Sequence, residues 1–246
     1  MDDTLVNQPA PGRVRESWLR SERYGVPPDE VSPVFTDAFD TGSLLYDCAT
    51  EVLAGLQATI ANEPVALMIA DRDGFVLARL CPDTTIRRSL DRVHLAPGFS
   101  YAERNAGTNG LGLSLADRAP TLVRADQHYC TGLRRYTCAA APVLDPAHPA
   151  PVGSVNLTTW SDASSGLLLA LAQAAAGATS ALMLARSRTG AGGPRRLTRL
   201  EAVERDEIAR CLAEPGMTMT RAAEELGIGR ATLYRKIAHY RIPAPR

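Results

Sequence analysis

The chain has 246 residues, which is enough for two domains with separate cores. Its 27 basic and 27 acidic residues balance, but from residue 195 onward eleven basic residues stand against seven acidic ones, a local excess of positive charge that suits contact with a polyanion. Five cysteines without C-x-x-C spacing argue against a disulfide scaffold, and the polar first twenty residues lack a secretory apolar run. We therefore predict a soluble, cytoplasmic protein with no membrane partner.

Residues 1–61 are predicted to form an amino-terminal helical segment. After a loose start, a short helix is expected at Arg13–Tyr24, then a proline-containing connector, then a second helix at Leu44–Ile60 with an apolar stripe. Both helices are expected to pack against the domain that follows.

From residue 62 to residue 188 the pattern predicts an α+β domain. Short apolar runs separated by turn residues, including a glycine-containing hairpin turn at Asp71–Gly74, indicate about six strands. A glycine-rich stretch at 98–112 leads into a helix that ends near Ala116. The order of elements favours an antiparallel sheet with helices on one face. The predicted strands are Val65–Ala70, Phe75–Leu80, Val93–Leu95, Thr121–Val123, Tyr136–Leu144 and Val152–Thr159, and a turn-rich loop at Asp145–Pro151 joins the last two.

This domain is predicted to end in one long helix at Asp162–Arg188. Its leucines and alanines cover too wide an arc for one buried face, so one side is expected to pack on the sheet and another on a second subunit, giving a homodimer. The alternative is an ordinary core helix that pairs with nothing. The glycine-rich residues 189–197 that follow are predicted to be a flexible linker.

Residues 198–246 are predicted to form a small all-α helix-turn-helix domain. Thr198 and Glu201 form a capping box for its first helix, Pro215 and Gly216 end that helix, and Thr218 caps the next one. Gly227 then supplies the turn before a last helix that begins near Arg230.

The last helix has two chemically different sides. Leu233 and Ile237, four residues apart, are expected to face the core. The opposite side carries guanidinium groups suited to guanine edges or phosphates. A helical hairpin with a merely solvated basic face is the alternative. The residues expected to contact double-stranded DNA are Arg221, Arg230, Ala231, Thr232, Tyr234, Arg235 and Lys236.

The stretch Thr220–Lys236 resembles the DNA-binding domain of the factor-for-inversion-stimulation (Fis) type through the pattern T-R-A-A-x-x-L-G-I-x-R-x-T-L-Y-R-K. The resemblance implies a recognition helix in the major groove and dimers that read two half-sites. By position it makes Arg230 the base reader, Thr232, Arg235 and Lys236 base or phosphate contacts, and Arg221 a backbone contact. Gly229 departs from the asparagine or serine common there.

The earlier domain resembles the GAF domain of the acetoin-catabolism activator group. The matching stretches are VRESWLRS (14–21), AGTNGLG (106–112), HYC (128–130), TCAAAPVLDP (137–146) and VGSVNLT (152–158). Those activators usually hold an ATPase domain between sensor and DNA-binding end, but this sequence contains no G-x-x-x-x-G-K-[ST] pattern. The resemblance thus implies a regulator that occupies DNA, recruits RNA polymerase or blocks it, in response to a small organic effector from alcohol, diol, ketone or hydrocarbon breakdown.

A GAF domain holds its ligand between the sheet and the covering loops, in an apolar pocket with a few polar groups. Asn105, Thr108 and Asn109 have an alternative role as caps of the helix that opens near Thr108. The alternative for the whole domain is a dimerisation scaffold. The candidate ligand-binding residues are Tyr101, Asn105, Thr108, Asn109, His128, Cys130, Tyr136 and Cys138.

Two other classes of function are open to the sequence. His128, Cys130 and Cys138 are metal-ligand types and suggest a metal or redox sensor, but their spacing is no recognised metal pattern and a fourth ligand is absent. The four histidines lie far apart, and no nucleophile, metalloprotease or dinucleotide motif occurs. We therefore predict no cofactor, no metal and no enzymatic activity.

Overall fold

The structure is a computed structural model that describes residues 11–61, 63–145, 150–161, 166–188, 199–214, 217–240 and 242. Several sequence predictions lie outside the described residues: the loose start, the centre of the 145–151 loop, the first turn of the long helix, the 189–197 linker, the Thr198 cap and the Pro215–Gly216 stop.

The first part of the chain is an α+β domain built on one antiparallel sheet, as the sequence predicted. The sheet has five strands in the order β2-β1-β5-β4-β3, so the amino-terminal hairpin and the last two strands meet at the centre. The strands β1 to β5 are Ala66–Asp71, Val76–Leu80, Thr121–Arg124, Tyr136–Leu144 and Pro151–Trp160.

Helices cover both faces of this sheet, whereas the order of elements suggested one. On one face lie α2 (Leu44–Thr59), capped by Ser43, and the long α6 (Leu167–Arg188). Their apolar sides share a core with inward residues of the sheet such as Leu157 and Val143. The helix α2, predicted to belong to the segment before the domain, therefore contributes to the same core as α6.

The opposite face is covered by α3 (Thr84–Arg92), α4 (Glu103–Ala106) and α5 (Gly110–Asp117). Two glycines of α5 allow this helix to pack closely against β4 and against the backbone near Tyr101. A Cβ at Gly110 would lie 2.7 Å from that of Cys138, and one at Gly112 would lie 2.6 Å from the carbonyl oxygen of Tyr101. The second core of the domain fills the space between these helices and the sheet.

The predicted strand at Val93–Leu95 is wrong, because this run follows directly on a helix, α3, that was not predicted. Asp83 caps α3 by accepting the backbone N–H groups of Thr85 and Ile86. The amide of Leu95 then donates to the carbonyl of Leu90, and His94 adopts a left-handed φ of 57°, which a strand does not permit. The described part of the sheet therefore has five strands where six were expected.

The amino-terminal helix α1 (Pro11–Arg23) is tied to this domain by a buried polar cluster. Arg20 Nε lies 2.5 Å from Glu103 Oε2, and a terminal nitrogen of Arg20 lies 3.1 Å from Asp117. The Ser17 hydroxyl donates to Glu103 and also lies 2.7 Å from that of Thr108. The Glu103 carboxylate raises the pKa of the Arg20 guanidinium, so the guanidinium stays protonated.

Helix α6 is also long and apolar enough to cross a membrane, with a mean hydropathy of 1.8. Leu168, Leu169 and Ala172 are nevertheless buried against the sheet side of the domain. One side of α6 is therefore packed on the sheet, as the sequence predicted, and pairing of its other side with a second subunit stays a prediction.

The carboxyl-terminal unit consists of α7 (Arg199–Leu212), α8 (Met219–Glu225) and α9 (Arg230–Tyr240). One apolar cluster joins all three helices and includes Ile208, Cys211, Ala222, Leu233 and Ile237. The predicted three-helix arrangement is therefore present.

Candidate functional site

Capping residues and a glycine determine where α8 ends and the turn to α9 begins. The Thr218 hydroxyl caps α8 by accepting the backbone N–H of Arg221, and Leu226 is the carboxyl-terminal cap. Gly227 follows with φ +65°, a left-handed conformation that glycine adopts at low cost. These features place a three-residue turn before Arg230, as a helix-turn-helix requires.

The two predicted sides of α9 are present. Leu233 is fully buried and Ile237 is 9 % exposed. Arg230, Tyr234 and Arg235 are exposed on the other side. The Arg235 guanidinium donates to the Thr232 hydroxyl at 3.2 Å, which keeps this arginine close to the helix surface. This side of α9 can donate several hydrogen bonds to an edge of a base pair or to phosphate.

Lys236 has a partner within the unit. Its ammonium lies 2.7 Å from Glu204 of α7 and 6.0 Å from the centre of the Tyr240 ring, whose hydroxyl also bonds Glu204. These contacts join α7 to α9. Arg221 is exposed on α8, and the side chain of Ala231 lies outside those described. The DNA contacts assigned to these residues stay predictions.

Four of the eight candidate ligand-binding residues share the core between the sheet and the helices α3 to α5. These are Tyr101, Cys130, Tyr136 and Cys138. Burial raises the pKa of the Tyr101 hydroxyl well above its usual value. Cys138, Tyr136 and Cys130 add to the rise, so each of these three groups lies within electrostatic range of Tyr101. The Tyr101 hydroxyl donates to the Val93 carbonyl, and that of Tyr136 bonds Ser89 at 2.6 Å.

The other polar candidates are engaged by the protein itself. Asn109 caps α5 by accepting the N–H of Gly112 at 2.9 Å. The Thr108 hydroxyl lies within bonding distance of those of Ser17 and Ser21, and the Asn105 amide donates to Ser100 at 2.8 Å. Asn109 therefore has the capping role that the sequence offered as an alternative. Ligand binding by Asn105, Thr108 and Asn109 stays a prediction.

His128 is fully buried next to the short turn 125–127. Its Nδ1 lies 3.0 Å from the Ala125 carbonyl oxygen, while Nε2 has no partner. Burial lowers the pKa of the imidazole to about 4, so the ring is neutral at physiological pH.

The thiols are poorly placed for metal or redox chemistry. Burial raises the pKa of both Cys130 and Cys138 to about 11, which keeps them protonated near neutral pH, whereas the thiolate is the reactive and metal-binding form. Cys138 Sγ lies 3.3 Å from the Thr158 hydroxyl, and Cys130 contacts backbone carbonyls. Within the described ranges, no group of three or more metal-binding side chains comes together.

Asn156 is a polar residue on the same face of the sheet that was not among the predicted site residues. It is 1 % exposed on the central strand β5, and its Oδ1 has no hydrogen-bond partner. The signal in the sequence was an asparagine between the apolar residues Val155 and Leu157 of the predicted strand, where a buried amide is expected only with a partner.

Comparisons with known proteins agree with this division into two units. Residues 199–240 match the family profile described as bacterial regulatory protein, Fis family, and residues 4–180 match the profile described as MimR, N-terminal domain. Over 162 residues, the chain is 37 % identical to the propane 2-monooxygenase operon transcriptional activator MimR of Mycolicibacterium goodii. The match covers 66 % of this chain and 28 % of that protein.

Two further similarities are more distant. The acetoin dehydrogenase operon transcriptional activator AcoR of Bacillus subtilis is 26 % identical over 138 residues, 53 % of this chain and 23 % of that protein. The crystal structure of the Escherichia coli DhaR(N)-DhaL complex aligns with a TM-score of 0.66 and 22 % identity, covering 78 % of this chain and 66 % of that one, and supports the fold. The chain thus spans about a quarter of the length of the curated relatives it matches.

The fold and the exposed basic side of α9 define a regulatory type of protein, in which an α+β domain precedes a Fis-type helix-turn-helix. Only residues 189–198 separate α6 from α7, so no ATPase domain intervenes. More particularly, the chain belongs to the family of the MimR N-terminal domain.

Proposed function

We propose that this protein is a transcription regulator that binds double-stranded DNA through α9 and responds to a small organic effector held in its GAF-like domain. DNA binding is supported best by the two different sides of α9. Arg230, Tyr234 and Arg235 are exposed on one side, whereas Leu233 and Ile237 are buried on the other. The relatives are named as operon activators, which favours regulation over catalysis.

The division into units is part of the proposal. We take residues 1–61 as the amino-terminal segment, whose helix α2 shares the core of the sensor, 62–188 as the sensor, 189–197 as the linker and 198–246 as the DNA-binding unit. Without an intervening ATPase domain, the protein would act from the cytoplasm by occupying DNA, by recruiting RNA polymerase or by blocking it. A sensor that serves only as a dimerisation scaffold is the alternative, and an effector-dependent change in operator affinity separates the two.

Arg230→Ala is expected to weaken binding to the specific operator by about 1–3 kcal/mol and to relax the choice of base at one position, because a bidentate contact is lost. Fluorescence anisotropy with DNA from upstream of the protein's own gene, and with single-base variants of it, measures both effects. Arg210→Ala is the matched control, since Arg210 is an exposed arginine of α7 paired with Glu207. Equal affinities for wild type, Arg230→Ala and Arg210→Ala would contradict the assignment of α9.

We propose that the protein is a homodimer formed through the outer side of α6. Ala170, Ala174, Gly177, Ala178 and Ala181 are exposed there at helical spacing, and such small side chains let two helices approach closely. Because α6 leads directly to the linker, pairing at this surface would bring two DNA-binding units together, as two half-sites require.

Ala174→Glu is expected to convert the dimer to a monomer at micromolar concentration, because it places two like charges at the centre of the paired surface. Analytical ultracentrifugation measures the change. Ala54→Glu, on the exposed side of α2, is the control and should leave the mass unchanged. A wild type that sediments as a monomer, or a dimeric Ala174→Glu variant, would disprove this interface.

A further inference from the structure

The buried amide of Asn156 lies at the centre of the sheet face that carries the proposed effector site. On this face Asn156 is paired with Met68 of β1 on one side and Ala140 of β4 on the other. Its Nδ2 donates to the Thr158 hydroxyl at 2.9 Å, while Oδ1 accepts nothing. A buried acceptor without a partner is unfavourable and uncommon in native proteins. The site therefore offers one unused hydrogen-bond acceptor.

The surroundings of Asn156 are small and uncharged. Ala66, Ala70, Ser154 and Thr158 occupy neighbouring positions of the same face by strand register, and the Ser154 hydroxyl is taken by Ser114 of α5 at 2.6 Å. Short side chains thus flank the amide on the sheet, and the apolar cluster on the same face includes Leu111, Tyr101, Tyr136 and Leu90.

Arg79, a cation on this sheet face, is engaged by its own partners. Arg79 is paired with Met68 in the strand register and therefore shares this face, but its guanidinium bonds Asp91 and, at 2.7 Å, the carbonyl oxygen of Leu95. Glu103 is paired with Arg20. An anionic ligand at Asn156 would thus be desolvated without a counter-charge, which is strongly unfavourable.

We infer that Asn156 is the polar anchor of the effector site, and that the effector is a small uncharged molecule whose hydroxyl group donates a hydrogen bond to Asn156 Oδ1. This inference rests on the proposed effector response of the domain. A ketone of the same shape presents only an acceptor and leaves Oδ1 unpaired, and a hydrocarbon offers no hydrogen bond. A site built to bond a hydroxyl rejects analogues that lack it, because the buried partner is then unsatisfied.

The test compares alcohols with ketones of matched shape on the full-length protein. The probes are 2-butanol with 2-butanone and cyclohexanol with cyclohexanone, with binding measured by isothermal titration calorimetry and by operator affinity in anisotropy. We expect each alcohol to bind at least about tenfold more tightly than its ketone. Equal binding of alcohol and ketone, or no binding of either alcohol, overturns the inference.

Asn156→Leu is expected to weaken alcohol binding about tenfold or more and to leave ketone binding unchanged. Thr137→Val is the matched control, because Thr137 is also buried on the sheet with an unpartnered hydroxyl, but lies on the opposite face. Unchanged alcohol affinity in Asn156→Leu overturns the inference. Should that variant not fold, the side-chain amide NMR signal of Asn156 in the wild type decides the question, since it must shift on alcohol binding and must not shift with the ketone.

Failure of the inference and failure of the proposed function give different results. If a ketone or another compound changes operator affinity, the sensor responds to an effector but the role of Asn156 is wrong. If the protein binds its operator and no small molecule in a broad metabolite panel changes that affinity, the proposed effector response itself is wrong.

Discussion

Replacing Arg20 with methionine is expected to lower the free energy of unfolding of the sensor domain by about 3 kcal/mol. The Glu103 side chain is 3 % exposed, so loss of its guanidinium partner leaves a buried carboxylate without a counter-charge. We place the effect at the lower end of the range for such pairs, because Arg20 is 27 % exposed and Glu103 keeps its bond from Ser17. Chemical denaturation of the full chain measures the change.

The matched control is Arg23→Met, an exposed arginine of the same helix, which should change stability by less than about 0.5 kcal/mol. The double variant Arg20→Met, Glu103→Leu should recover much of the loss, because the buried Glu103 carboxylate is then removed together with its partner. Equal stability of the Arg20 and Arg23 variants would show that the buried ion pair does not hold α1 in place.

This ion pair matters for the proposed sensor because α1 packs beside the segment that closes its core. The Trp18 indole N–H donates to the Gln127 carbonyl at 2.9 Å, and the centres of the Trp18 and Tyr129 rings lie 5.4 Å apart. Tyr129 and Cys130 belong to the same core as Tyr101 and Tyr136. Hydrogen exchange of the 125–133 backbone should therefore become faster in Arg20→Met, and not in Arg23→Met.

Leu233→Ala is expected to destabilise the helix-turn-helix unit by about 2–5 kcal/mol and thereby to abolish operator binding. Leu233 is fully buried in the small cluster that joins α7, α8 and α9, and a cavity there cannot be filled by distant residues. A unit of about forty residues has little stability to lose. Hydrogen-exchange mass spectrometry of the full chain should show loss of protection in peptides from 199–240.

Val203→Ala is the control for this experiment, because Val203 is 66 % exposed on α7 and its truncation should have little effect. Peptides from the α+β domain should keep their protection in both variants. Normal operator affinity in Leu233→Ala would contradict the view that this core sets the position of α9.

Local sequence signals were sufficient for the carboxyl-terminal unit. The Thr218 cap, the glycine turn at 227 and the four-residue spacing of Leu233 and Ile237 all act within one or two helical turns, so each can be recognised without tertiary contacts. The same holds for β4, predicted and found at Tyr136–Leu144. Helix α3 was missed because its three buried residues, Ile86, Ser89 and Leu90, include a serine, which weakens the apolar pattern in an otherwise polar stretch.

What the sequence by itself determined is the class of fold, the order of the units and the two sides of α9, because these follow from periodicity and capping. Only the tertiary structure decided which polar groups meet. Arg20 and Glu103 are 83 residues apart in the chain, and Asn156 is placed by strand register between β1 and β4. A shift of one residue in that register would turn Asn156 to the opposite face, and such a choice is made by the packing of the whole sheet, not by the neighbours of the residue in the chain.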